Sequence, residues 1–127
     1  MGLDMFAYRM KYNPSKEVDF QEEIQDVEKE EVHYWRKHPN LHGWMENLYR
    51  SKGGEGEQFN CDPVALNEED LHQLAACIID NELPHTSGFF FGESYDNEEE
   101  REDDLQFVKD SLKAIEEGYT VYYNSWW

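Results

Sequence analysis

Hydrophobic side chains alternate with position from the third residue. Leu3, Met5 and Ala7 fall on one side of an extended chain, and Phe6, Tyr8, Met10 and Tyr12 on the other. This period of two predicts a strand over 3–12, and apolar residues on both sides predict one that is covered on both faces or central in its sheet. Asp4 shares the Phe6 side. A carboxylate there needs a partner, and Arg36 or a histidine is the expected one. Asn13-Pro14-Ser15 ends the strand.

The period then changes. Phe20, Ile24 and Val27 stand at helical spacing, which predicts a short exposed helix within 17–30. Val32–Arg36 (VHYWR) is β-prone and predicts a second strand. From Pro39 onward, Leu41, Trp44, Met45, Leu48 and Tyr49 form an apolar stripe, which predicts a helix opened by His38 or Asn40, with Asn the chemically better cap. SKGGEGE (51–57) is a loop, and 59–66 reads as a short extended stretch with Pro63 at an edge or turn.

Asn67 with Asp70 resembles a capping box. The helix it opens is expected to bury Leu71, Leu74, Ala75, Ile78 and Ile79 and to stop before Pro84. Residues 84–95 predict a loop around a short aromatic strand, Phe89–Phe91. Residues 98–117 predict the longest helix, with the stripe Leu105, Val108, Leu112 and Ile115 and a stop at Gly118. YTVYYNSWW (119–127) predicts a last strand, expected like the first inside the sheet, with adjacency of the two as one arrangement. Strands and helices mix without a βαβ rhythm. The expected architecture for 1–127 is therefore a single α+β domain, with helices packed on a mostly antiparallel sheet.

Charge narrows the partners. Lys and Arg number 11 against 29 Asp and Glu, a net charge of -18. The acids concentrate in two runs, 17–31 and 93–104, while most of the cations lie before residue 53. Such a surface repels phosphate backbones and anionic membranes, so neither direct nucleic-acid binding nor membrane binding is expected; a host protein with a basic surface is. No stretch approaches a membrane span or the apolar run of a signal peptide, which predicts a cytoplasmic protein. The two cysteines, Cys61 and Cys77, form no CxxC and imply no disulfide framework; Cys77, in LAACII, reads as a small buried hydrophobe.

MGLDM at the start, HYWRKHPNLHGWMENLY (33–49), LPHTSGFFFG (83–92) and the ending TVYYNSWW resemble a family of small uncharacterised proteins frequent in bacteriophage genomes and scattered in bacteria. Some members carry the label phosphoglycerate kinase. This chain is too short for that kinase's two domains and has no glycine-rich phosphate loop followed by lysine. The resemblance therefore implies a phage or prophage origin and no activity.

The densest polar and aromatic cluster is His33, Trp35, Arg36, His38, Asn40, His42 and Trp44. His38 and His42 stand four apart, a spacing that on one helix can aim two imidazoles at one metal, but Pro39 intervenes and no HExxH is present. Structural histidines or helix-end donors are the expected roles, with no metal and no cofactor. His42 lies at the edge of the apolar stripe, where a pocket rim would be. His85-Thr86-Ser87-Gly88 reads as an ordinary turn, and no nucleophile, base and orienting group stand together.

Two expectations follow. The first is a small acidic non-enzymatic protein that binds or inhibits a host protein, in one version a defence or nucleic-acid enzyme. The run Glu98, Glu99, Glu100, Glu102, Asp103 and Asp104 forms its interaction surface. The second is a small-molecule binder or small enzyme whose pocket gathers Asp4, His38, Asn40, His42, Trp44, His85, Thr86, Tyr122 and Trp126. Convergence of Asp4, His42, His85 and Tyr122 would favour the second.

Overall fold

A computed structural model describes residues 2–84 and 98–127. Its strands are β1 (Asp4–Met10), β2 (Lys29–Arg36), β3 (Val64–Leu66) and β4 (Thr120–Trp126); its helices are α1 (Pro39–Ser51), α2 (Glu68–Ile79) and α3 (Glu98–Glu116). The strands form one sheet in the order β2-β1-β4-β3, and every pairing is antiparallel. With helices packed on that sheet, the fold is α+β.

The alternation in β1 explains its central place. Met5 stands opposite Trp35 on one side and Ser125 on the other, and Ala7 opposite His33 and Tyr123. These residues share the inner face. There Leu3, Met5, Ala7, Val121 and Tyr123 pack with Leu41, Met45 and Tyr49 of α1, Leu71, Leu74 and Ile78 of α2, and Phe107, Val108 and Ala114 of α3. The outer face carries a smaller cluster of Met10, Phe20, Ile24 and Tyr122, flanked by Tyr8, Tyr12 and Val27. A bulge between Ala7 and Tyr8 shifts the register against β2.

Phe20 and Ile24 are buried, and the segment carrying them is not the short exposed helix expected. It is a pair of tight turns, with Glu23 N–H donating to Phe20 O and Val27 N–H to Ile24 O. Helical continuation would set Glu22 and Asp26 four apart, with their charges adjacent. Instead Glu23 is held from outside the segment. Tyr12 Oη donates to its carboxylate at 2.8 Å and Ser15 Oγ at 2.9 Å.

α1 begins at Pro39 with His38 as its cap residue, not Asn40, and the His38 side chain makes no capping bond because it turns toward α3. α2 has the expected capping box: Asp70 N–H donates to Asn67 Oδ1 at 2.8 Å and Asn67 N–H to Asp70 Oδ2 at 3.0 Å. Asp70 also receives Lys52 Nζ at 2.6 Å, and the same ammonium donates to Ala65 O at 2.6 Å. One buried cation thus ties the end of α1 to β3 and the start of α2. Ile79 departs from expectation. It is 63% exposed, because the buried stripe of α2 runs through Leu71, Leu74 and Ile78. Cys77 is half-buried and Cys61 exposed.

The buried face of α3 is also rotated from the one expected. Asp104, Phe107, Val108, Ser111 and Ala114 face the core, while Leu105, Leu112 and Ile115 flank it half-buried. Gly118 ends the helix with φ +93, a left-handed stop that glycine takes at no steric cost.

The extended stretch expected over 59–66 shrinks to Val64–Leu66. Before it, Phe59 (φ 47) and Cys61 (φ 61) are left-handed, and this kink places Asn60 beside the chain end. Its amide pairs with the backbone of Trp127 in both directions, Nδ2 donating to Trp127 O at 2.7 Å and Trp127 N–H to Oδ1 at 3.0 Å. The aromatic strand expected at Phe89–Phe91 lies outside the described residues. Among those described, no helix is long and apolar enough to cross a membrane.

Candidate functional site

The densest polar site lies where the end of β2, the start of α1 and the first turns of α3 meet. Trp35 faces inward from β2, its ring edge-on to Phe107 at 4.7 Å between centroids. Its indole N–H donates to Asp104 Oδ1 at 3.0 Å. The other carboxylate oxygen, Oδ2, lies 2.8 Å from His38 Nε2, and Glu100 Oε1 lies 3.4 Å from His38 Nδ1. Asp104 and His38 are both buried. One residue earlier on α3, Asp103 reaches His33 Nε2 at 3.0 Å.

Outside this knot is an open cleft of about 640 Å³ lined by Tyr34, Trp35, Arg36, His38, Glu99, Glu100 and Asp103. A second cavity of about 180 Å³ brings His38 and Asn40 to Ile78, Asn81, Leu83, Glu100, Arg101 and Asp104. Glu98, Glu99, Glu102 and Asp103 are exposed, whereas Asp104 is not. Asp104 therefore leaves the expected acidic surface. Its position on the inward face of α3 makes it an internal acceptor.

The remaining pocket residues do not come together. His42 lies deeper on the inner face, with Nδ1 2.7 Å from Tyr123 Oη and its ring against Phe59 at 5.0 Å. Trp44 is half-buried against the same core. Asp4, Tyr122 and Trp126 lie on the opposite, outer face. Tyr34 Oη donates to Asp4 Oδ1 at 2.6 Å, so neither Arg36 nor a histidine is the partner expected for this carboxylate. That hydrogen bond holds the Tyr34 phenol above its ordinary value. Tyr122 packs against Tyr8 and Phe20, and burial raises its phenol. Trp126 is 67% exposed, while Trp127 packs against the core with Nε1 donating to Phe59 O. The four-residue convergence that a pocket needs is thus divided by the sheet for Asp4, Tyr122 and His42; His85 and Thr86 lie outside the described residues. Among those described, no three His, Cys, Asp or Glu side chains stand close enough to hold a metal ion.

Burial lowers the His42 pKa to about 4, so the imidazole is neutral in the fold. Unfolded, it takes up a proton below about pH 6.5. Stability carried by His42 is therefore complete above pH 6.5 and falls as pH drops toward 4, by about 3 kcal/mol. An NMR titration of the ring is expected to show no protonation above pH 5. A midpoint near 6.5 would refute this.

What the fold and site define is an acidic α+β protein in which a buried carboxylate–imidazole knot sits under an open, carboxylate-lined cleft. Comparison of the chain with protein-family models, curated proteins and solved structures finds no match.

Proposed function

We propose that this chain is a non-enzymatic interaction protein that binds a protein partner with a basic surface. The observation that carries the reading is the division of labour within the acidic start of α3. Asp104 turns inward and is satisfied by Trp35 and His38, while Glu99, Glu100 and Asp103 line the cleft outside. Carboxylates arranged at a cleft beside an aromatic strand steer a cationic surface toward it, and the net charge of -18 adds to the attraction. The resemblance to small phage proteins makes the partner a host protein, a defence or nucleic-acid enzyme among the candidates, and the host cytoplasm the setting. The rival reading, a small-molecule pocket, has less support, because Asp4 and Tyr122 lie across the sheet from His42.

The test uses the intact protein as bait in bacterial lysate at low and high ionic strength. Glu98→Lys, Glu99→Lys and Glu102→Lys change exposed positions; two of them reverse first-turn charges of α3, so a loss of about 1–2 kcal/mol with the fold retained is expected. The triple variant is expected to lose the proteins that wild type retains at low salt and releases at high salt. Capture of the same proteins with the same salt dependence by both would overturn the reading.

A further inference from the structure

β2 is an edge strand: in the sheet it pairs with β1 alone. Its ladder shows which backbone groups are spare. Lys37 N–H donates to Leu3 O, so Leu3 and Lys37 form a hydrogen-bonded pair. Antiparallel pairs alternate, so Met5 with Trp35 is also bonded, whereas Phe6 with Tyr34 and Asp4 with Arg36 are not. The N–H and C=O groups of Tyr34 and Arg36 therefore point away from β1, toward the free edge. Among the described residues no strand takes them up. Both residues line the same cleft as Glu99, Glu100 and Asp103.

We infer that this edge accepts an extended cationic segment of the partner as an added antiparallel strand. The inference rests on the interaction reading above and names its mode. Pairing with Tyr34 and Arg36 satisfies the spare donors and acceptors of both residues. In an antiparallel pair, opposite residues share a face. Segment residues opposite Tyr34 and Arg36 thus point to the outer face, where Tyr34 is 44% exposed and the Phe6 ring lies tilted against it at 5.2 Å. The alternate residues point inward, toward α3 and its carboxylates. A segment alternating apolar and cationic side chains fits both faces. Charge selects this occupant over a second copy of the chain: in a two-fold pairing of β2 with itself, Lys29 would stand opposite Arg36 and the acidic α3 of each copy would approach the other's edge.

The probe is an octapeptide of alternating lysine and valine, measured against two N-methylated forms. Methylation on the valine nitrogens removes the donors that face Tyr34 and Arg36; methylation on the lysine nitrogens leaves them. The valine-methylated peptide is expected to bind at least about tenfold more weakly than the parent, and the lysine-methylated one close to it. Hydrogen exchange at the Tyr34 and Arg36 amides is expected to slow when the parent peptide binds. Equal affinity of all three, unchanged exchange at those amides, or no binding of the parent overturns strand addition. If the Glu98, Glu99 and Glu102 variant meanwhile still loses its salt-sensitive partners, the interaction reading stands without this mode. If that variant keeps them, the interaction reading itself has failed.

Discussion

Asp104→Ala is expected to cost about 3–5 kcal/mol in urea denaturation, a large share of the roughly 5–15 kcal/mol that holds a domain of this size. The carboxylate accepts from the Trp35 indole and meets His38 Nε2, and all three side chains are buried. Truncation removes the one acceptor that the Trp35 indole and His38 Nε2 share. The loss exceeds that of an ordinary hydrogen bond because an ionised group balances them. Asp104→Asn keeps the shape and one carbonyl acceptor for Trp35, so a smaller loss of about 1–2 kcal/mol is expected. The ordering matters more than either value. If alanine and asparagine cost the same, or alanine costs less than about 1 kcal/mol, the knot does not hold α3 to β2 in the way described.

Lys52→Met is expected to cost about 3 kcal/mol, for a different reason. The Lys52 ammonium is almost fully enclosed, 2.6 Å from both Asp70 Oδ2 and Ala65 O, with Glu17 at 3.5 Å. Methionine fills the volume but leaves the Asp70 carboxylate buried, with the Asn67 N–H as its remaining donor. Asp70→Asn added to Lys52→Met removes that stranded charge. The double variant is therefore expected to lose less stability than the sum of the two single losses in a double-mutant cycle read by denaturation. Strict additivity would show that the two groups do not interact. Melting of α2 alone, seen as a loss of helical signal before the main transition, is the expected structural signature of the single variant.

Much of the framework was legible in residue patterns. The two-sided alternation of 3–12 marked β1 as covered on both faces or central, Asn67 and Asp70 identified the start of α2, and the apolar character of the first and last strands placed both inside the sheet. What misled is physically specific. Phe20 and Ile24 sit at helical spacing, but two successive tight turns place side chains on one side just as a helix does. Along α3, a hydropathy pattern scores Asp104 and Ser111 as solvent-facing. Their spacing from Phe107, Val108 and Ala114 puts them in the same stripe, and that spacing was the available signal. The Asp104–His38 contact itself was illegible, because it joins residues 66 positions apart that only the packing of α3 against β2 and α1 brings together. For Asp4 the expectation favoured an opposite charge, and the fold supplies a phenol from the neighbouring strand instead.

The arrangement of the sheet also sets an order of events. Its central pair joins residues 4–10 to residues 120–126, so the middle of the sheet consists of contacts that span almost the whole chain. Loop closure of that length precedes any reward from the pairing, which places this protein among the slower folders of its size, in milliseconds to seconds rather than microseconds. During synthesis β1 emerges first and β4 last. Until β4 has emerged, β1, with apolar residues on both faces, has only β2 beside it. The β4 side of β1 therefore stays uncovered while residues 11–119 are made, and chaperone demand is expected to be highest over that interval.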